Sequence, residues 1–132
     1  MSGKVEARTD RAPEAVGPYS QGIRADGFVF SSGQLPMTPS GRLIGDDISK
    51  ATRQALDNLL AVFQAAGASV GDVVKVTIYL TDMSHFEAVN AVYKEAFAAP
   101  YPARSCVAVA ALPKGAPIEI EAVAKIHEET AG

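Results

Sequence analysis

Residues 101–125, YPARSCVAVAALPKGAPIEIEAVAK, contain two β-strand patterns separated by a loop. In the first, residues 103–109, Val107 and Val109 are typical of a buried strand, and the second, residues 118–125, alternates apolar and polar side chains. The loop between them has eight residues and includes two prolines and a glycine. Because a connection this short favours an antiparallel pair, we predict that the two strands are neighbours in a sheet.

Alternation along these strands predicts which side chains share a face. Arg104 and Cys106 point to one side of the first strand, and Glu119 and Glu121 share a side of the second. If the strands pair, a guanidinium and at least one carboxylate approach the same space on the polar side. A structural ion pair is the more common outcome of such spacing, and a catalytic pair is the alternative.

The single cysteine and the two histidines give weaker functional signals. A thiolate nucleophile needs a general base, and neither His85, in the first turn of a helix, nor His127, in a polar tail at 127–132, is placed to act on Cys106. Cys106 is therefore interpreted first as a small packing residue. With one cysteine and two separated histidines, we predict no metal site.

The remaining elements begin with a hairpin and a helix. Residues 20–32 form two short alternating segments around Asp26-Gly27, a pair that suits a two-residue turn. Residues 34–47 have the composition of a loop. Asp47 can then cap an amphipathic helix that Gly67 ends.

A third strand and a second helix follow. Residues 73–80 alternate, and the predicted inward face carries Val74, Val76, Ile78 and Leu80. Ser84 and Glu87 have the spacing of a capping box, and the helix after it ends before Pro100. Asn90 interrupts its apolar stripe, so a buried amide is expected either to bond a neighbouring backbone or to line a polar cavity.

These elements predict one α+β domain over residues 1–132, with a ββαβαββ order, a short N-terminal segment at 1–12 and both helices on one face of a mixed sheet. The opposite face keeps apolar residues, which oligomerisation would cover. The formal charge of −3, the pI near 5.3 and the scattered basic residues argue against nucleic-acid binding. One cysteine, and the absence of a signal or membrane segment from the sequence, favour a cytoplasmic protein.

Several motifs occur together in one order, at residues 17–22 (GPYSQG), 31–36 (SSGQLP), 86–93 (FEAVNAVY), 102–107 (PARSCV) and 118–122 (IEIEA). With them, the chain resembles the RidA (YjgF) family of reactive-intermediate deaminases from about residue 13 to residue 126. The resemblance implies a chorismate-mutase-like fold and a homotrimer with active sites in the clefts between subunits. The implied reaction is the hydrolysis of 2-imino acids, released by pyridoxal-phosphate enzymes, to 2-oxo acids and ammonia without a metal or organic cofactor.

The same resemblance implies roles for individual residues. Arg104 would bind the substrate carboxylate through its planar fork, and Glu119 would position or activate the attacking water. Glu121 matches the motif without an implied role. The supporting positions are Tyr19 and Ser32 as cleft walls, Gly33 for close backbone approach, Cys106 for its backbone amide and packing, and Asn90 as support.

Two other functions stay open from the sequence. One is an RNA-cleaving translation inhibitor, against which the acidic pI counts. The other is a ligand-binding or chaperone-like trimer without turnover, which has no need of a water-activating carboxylate at Glu119. The preferred imino acid, the pathway served and the protonation state of Glu119 are not fixed by the sequence.

Overall fold

The structure, a computed structural model, describes residues 3–127. It contains β1 (Lys4–Ala7), β2 (Gly22–Ala25), β3 (Phe28–Ser31), α1 (Ile48–Ala65), β4 (Val73–Leu80), α2 (Phe86–Ala96), β5 (Ala103–Ala108) and β6 (Ile118–Lys125). Strand β1 adds one strand to the predicted order, because residues assigned to an N-terminal segment pair with β2. The polar tail predicted for 127–132 lies outside the described residues from 128 onward.

The predicted hairpin and first helix are confirmed. Asp26 and Gly27 both have positive φ, at 50° and 82°, in the turn that joins β2 to β3. The Asp47 carboxylate accepts a hydrogen bond from the Lys50 amide at 3.1 Å and so caps α1. Gly67, with φ of 90°, follows the end of the helix.

The strand order, β1-β2-β3-β6-β4-β5, contradicts one prediction. Strand β6 pairs with β3 and β4, while β5 pairs in parallel with β4 at the edge of the sheet. The expected antiparallel pair of β5 and β6 is therefore wrong, because β4 lies between them. Helix α2 provides the crossover that a parallel pair requires. The loop at 109–117 is long enough to pass one intervening strand, a distance of roughly 10 Å.

Both helices cover one face of the sheet, as predicted. The buried core there combines Val76, Ile78 and Leu80 of β4 with the inward residues of β6 and with Leu59 and Val89 of the helices. Val74 is an exception to the predicted face.

Val74 is 43% exposed and Val73 is buried in its place. The reason is an irregularity in the pairing of β4 with β6 between Val73 and Lys75, which shifts the alternation by one residue.

The start of α2 also differs from the prediction. A short 3₁₀ turn, Met83–His85, precedes the helix, and the Asp82 carboxylate accepts from the Ser84 amide at 2.9 Å. The predicted capping box of Ser84 and Glu87 is therefore wrong, because the capping carboxylate comes from two residues earlier.

The second face of the sheet is partly apolar and open. Phe28, Phe30 and Val107 are 39%, 46% and 43% exposed on it. The prediction of a buried strand at Val107 is wrong for the chain alone, because β5 is an edge strand and Val107 points away from the helices. Among the described residues, no helix is both long and apolar enough to cross a membrane.

Candidate functional site

The first candidate site is a cavity of about 460 Å³ around Glu119, which we call the Glu119 pocket. Glu119 lies on β6, opposite Tyr79 of β4 and away from the helix-covered face. The other walls are two irregular segments at 13–21 and 32–37 and the loop that carries Lys114. A carboxylate on an inner strand is thus placed at the base of a cavity whose rim is formed by loops.

Gly33 gives the Glu119 side chain its position. A Cβ at Gly33 would lie 2.6 Å from Cδ of Glu119 and 2.9 Å from its Oε2, closer than real contacts allow. The carboxylate therefore lies directly on the backbone of Gly33. The resemblance implied close backbone approach at Gly33, and the structure shows that the group lying close to this backbone is Glu119.

Ser32 and Tyr19 both line the Glu119 pocket. The Ser32 amide donates to the carbonyl oxygen of Gln21 at 2.9 Å, and its hydroxyl donates to the carbonyl oxygen of Ser20 at 2.5 Å. The Tyr19 hydroxyl accepts from the Val16 amide at 3.4 Å, and the side chain is half exposed. The structure therefore brings Tyr19, Ser32, Gly33 and Glu119 together in one pocket.

The electrostatics of this pocket favour proton exchange at Glu119. Burial raises the pKa of Glu119, and the negative charge of Glu121 raises it further. Glu121 accepts a short hydrogen bond from the Tyr79 hydroxyl, which raises the pKa of Tyr79. A carboxyl group with a raised pKa is better matched to general acid–base chemistry near neutral pH.

The second candidate site is a cavity of about 390 Å³ beside Arg104, which we call the Arg104 pocket. Arg104 lies on the edge strand β5, on the side covered by α2. Its Nη1 donates to Oδ1 of Asn90 at 2.6 Å. Its guanidinium carbon lies 4.8 Å from the ring centre of Tyr93 and 5.5 Å from that of Phe86. Helix α2 therefore holds the cation by one hydrogen bond and two aromatic contacts.

Asn90 and Tyr93 both line the Arg104 pocket. Asn90 is exposed and lines the Arg104 pocket, so the prediction of a buried amide is wrong, although lining a polar cavity was one of its two expected roles. Tyr93 is buried, and its hydroxyl has no hydrogen-bond partner among residues 3–127. Its ring, in contact with Arg104 and Phe97, is what it contributes to the pocket.

Cys106 shares the helix-covered side of β5 with Arg104 and packs against the main core. Burial raises the pKa of its thiol, an effect that Arg104 partly opposes. The thiol form is favoured near neutral pH, which agrees with the interpretation of Cys106 as a packing residue.

The two pockets lie on opposite faces of the same sheet. Arg104 is in register with the core residue Val76, whereas Glu119 is in register with Tyr79 on the open face. The prediction that the guanidinium and the carboxylate approach the same space is therefore wrong within one chain. The separation follows from β4, which lies between their strands.

Two polar residues make contacts that were not predicted from the sequence. Gln21, within GPYSQG, is buried and bonds the chain at residues 9–13, and a polar side chain inside a turn motif was the available signal. The His127 side chain is largely exposed, and its Nδ1 lies 2.6 Å from Oδ1 of Asp72. Hydrogen bonding to His127 lowers the pKa of Asp72. No cluster of metal-ligating side chains is present in the range 3–127.

Comparisons with known proteins agree with this fold. The family model described as Endoribonuclease L-PSP matches residues 9–126. The chain is 47% identical over 119 residues to a 2-iminobutanoate/2-iminopropanoate deaminase of Salmonella typhimurium, with 88% of this chain and 93% of the relative covered. It is 50% identical over 117 residues to a RutC family protein of Pyrococcus horikoshii, at 88% and 93% coverage.

A solved structure, E. coli TdcF with bound serine, superposes with a TM-score of 0.88 at 43% identity and covers 93% of this chain and 99% of that one. The protein belongs to the RidA (YjgF) family, whose family model carries the endoribonuclease L-PSP description. Relatives within this family are named reactive intermediate deaminases.

Proposed function

We propose that the protein hydrolyses 2-imino acids to 2-oxo acids and ammonia, at sites formed where the Arg104 pocket of one subunit meets the Glu119 pocket of another. One observation carries the proposal. The chain places the Arg104 guanidinium in one pocket and the Glu119 carboxylate in another, and the two pockets lie on opposite faces of one sheet. Each pocket has half of the chemistry, so a second copy of the chain supplies what the first lacks.

Arg104 is suited to bind the substrate carboxylate. A guanidinium has five N–H donors in a fixed plane, and Asn90 occupies a donor on Nη1. The aromatic rings of Phe86 and Tyr93 fix the orientation of that plane. The remaining donors can bind a carboxylate with two parallel bonds, each worth about 1.5–3 kcal/mol.

Glu119 is suited to act on the water. A protonated imine carbon is electrophilic, and the Glu119 carboxylate would accept a proton as water oxygen bonds to that carbon. The same carboxyl group would then return the proton to the amino nitrogen of the tetrahedral intermediate. The C–N bond would break as the hydroxyl group gives its proton to the Glu119 carboxylate, so that ammonia leaves and the 2-oxo acid remains. That proton would then pass to the ammonia, which is released as ammonium. A positioned base of this kind contributes roughly 10²–10⁴ in rate.

The open face of the sheet supports an assembly of several chains. Phe28, Phe30 and Val107 are exposed there, and burying them between subunits would remove apolar surface from water. A homotrimer agrees with this arrangement, since a closed ring pairs the edge strand of each chain with a different surface of its neighbour.

The relatives support the substrate class. A relative at 47% identity is named for deamination of 2-iminobutanoate and 2-iminopropanoate, and TdcF is described with serine, an amino acid that has the same α-carboxylate. The names give the chemistry of those proteins, and the side chains in the two pockets support the same chemistry for this chain.

The test uses an amino-acid oxidase to generate 2-imino acids in the assay mixture. Semicarbazide is added as a trap that competes with hydrolysis for the imine. The wild-type protein is expected to accelerate 2-oxo acid formation and reduce semicarbazone. Arg104→Ala is expected to lose about 100-fold or more in kcat/KM, because two charge-assisted bonds are removed. Arg53→Ala is the matched control, an exposed arginine paired with Glu95 on α2. Unchanged semicarbazone with wild-type protein would refute the proposed activity.

Glu119→Gln separates hydrolysis from binding without turnover. The amide keeps the shape of the side chain but accepts no proton, so turnover is expected to fall by about 10²–10⁴ while binding of 2-oxobutanoate, the product, persists. A ligand-binding module would show the same affinity in both forms and no turnover in either. RNA affinity that falls steeply with salt would instead favour a nuclease.

A further inference from the structure

The buried side-chain amide of Gln21 links the Glu119 pocket to the segment of chain that precedes Gln21. The segment at residues 9–19 has no helix or strand, yet Pro13, Glu14, Val16 and Tyr19 from it line the pocket. Irregular chain has no hydrogen-bonded ladder to hold it, so its position depends on side-chain contacts.

Gln21 makes those contacts from a site that is only 4% exposed. Its Oε1 accepts from the Thr9 amide at 2.8 Å. Its Nε2 donates to the carbonyl oxygens of Thr9 at 3.0 Å and Pro13 at 2.8 Å. A longer contact, of 3.4 Å, joins the same Nε2 to the carbonyl oxygen of Ala12. The amide therefore uses both its acceptor and its donors on one stretch of backbone.

The backbone of Gln21 faces the other wall of the same pocket. Its carbonyl oxygen accepts from the amide of Ser32, next to Gly33, on which Glu119 lies. Gln21 thus contacts the irregular wall through its side chain and the wall beside Glu119 through its main chain. A shift of either contact changes the distance between the two walls.

We infer that Gln21 is a positioning residue for the proposed reaction, one that holds residues 9–19 as a wall of the Glu119 pocket and so sets the affinity for the 2-oxo or 2-imino acid. The inference rests on the proposed function for its ligand. The effect of Gln21 passes through Tyr19 and Pro13, without contact between Gln21 and the reacting atoms.

Two substitutions remove the amide contacts in different ways. Gln21→Glu keeps the size and the acceptor for Thr9 but places an oxygen against the carbonyls of Thr9 and Pro13. Gln21→Met keeps the length and removes all polar atoms. Gln64→Ala is the matched control, because Gln64 also ties the segment, through Arg11 at 2.7 Å, but does not line the pocket.

Binding of 2-oxobutanoate by calorimetry and amide hydrogen exchange are measured on the assembled protein. Both Gln21 variants are expected to weaken binding of 2-oxobutanoate about tenfold. This factor corresponds to the net worth of roughly one of the hydrogen bonds that hold residues 9–19 in place. Exchange is expected to quicken at residues 9–19 and stay slow in β6. Gln64→Ala is expected to leave the affinity within about twofold.

The outcomes separate this inference from the proposed function. Unchanged affinity and unchanged exchange in the Gln21 variants overturn the positioning role, and so does a lower melting temperature with wild-type affinity in the folded fraction. Wild-type protein that binds 2-oxobutanoate but does not hydrolyse imines refutes the proposed activity and leaves the positioning role to be decided by affinity and exchange. If one Gln21 variant does not fold, the other provides the measurement.

Discussion

The Glu119 pocket and the Arg104 pocket are built in different ways. Glu119 lies on an inner strand with neighbours on both sides and directly against the backbone of Gly33. Arg104 lies on the edge strand and is held from one side, by the side chains of α2. The proposed base, Glu119, is held by main chain, and the proposed anion-binding group, Arg104, is held by side chains, so substitutions around the two are expected to differ in effect.

Among substitutions of residues that contact Glu119 or Arg104, the largest effect on activity is expected at Gly33. In Gly33→Ala the new Cβ would lie 2.6 Å from Cδ of Glu119, so the carboxylate must move away. Gly33 does not have a positive φ, so alanine adds no backbone strain. We expect kcat to fall about 10- to 100-fold, since small misplacements of a reacting group are costly.

The imine assay and thermal unfolding check this prediction. Gly71→Ala is the control, because its nearest neighbour would be 4.0 Å away. A Gly33→Ala protein with wild-type kcat would show that the contact with Glu119 does not set its position.

A smaller effect on activity is expected at Asn90, which lines the Arg104 pocket. Asn90→Ala removes the acceptor at 2.6 Å from Nη1 of Arg104, but water can replace it because Asn90 is exposed. We expect KM to rise about fivefold, the worth of roughly 1 kcal/mol, with kcat nearly unchanged. Steady-state kinetics test this, with the exposed Glu87→Ala on the same helix as control. A fall in kcat alone would contradict it.

The smallest change is a shift in pH dependence. Because the carboxylate form of Glu119 is the proposed base, kcat/KM is expected to fall as the pH drops through its pKa, which is raised above the ordinary value for glutamate. Glu121→Gln removes one of the two causes, so the acid limb should move to lower pH while burial still raises the pKa of Glu119.

The profile is taken as a ratio to wild-type protein, which cancels the titration of the imine itself. Glu87→Gln, an exposed carboxylate on α2, should leave the profile in place. A shift of the acid limb to higher pH in Glu121→Gln would contradict the electrostatic account.

Two local features of the fold were predicted correctly from sequence, whereas the local capping box at Ser84 and Glu87 was not. Asp26-Gly27 and Asp47 act on their immediate neighbours, and both behave as predicted. The partner of β5 was not predictable in this way, because it depends on the crossover of α2, which no residue of either strand encodes. The irregularity beside Val74 likewise depends on the pairing of two distant strands.

The residues of the candidate site could be named from sequence, but their arrangement could not. Motif resemblance pointed to Arg104, Glu119, Ser32 and Gly33, and each of them lines one of the two pockets. Strand alternation alone put Arg104 and Glu119 on one face, and this failed because it assumed that their strands are adjacent. The proposed reaction therefore requires a site that two chains share.

The most direct test of that requirement mixes two inactive variants. Arg104→Ala and Glu119→Gln are unfolded together and refolded, so that subunits reassort, and the imine assay is repeated. If each site takes Arg104 from one chain and Glu119 from another, about one quarter of the sites regain both groups at equal mixing, and activity returns to about that fraction of wild type. No recovery in a mixture shown to contain hybrid oligomers would contradict a site shared between subunits.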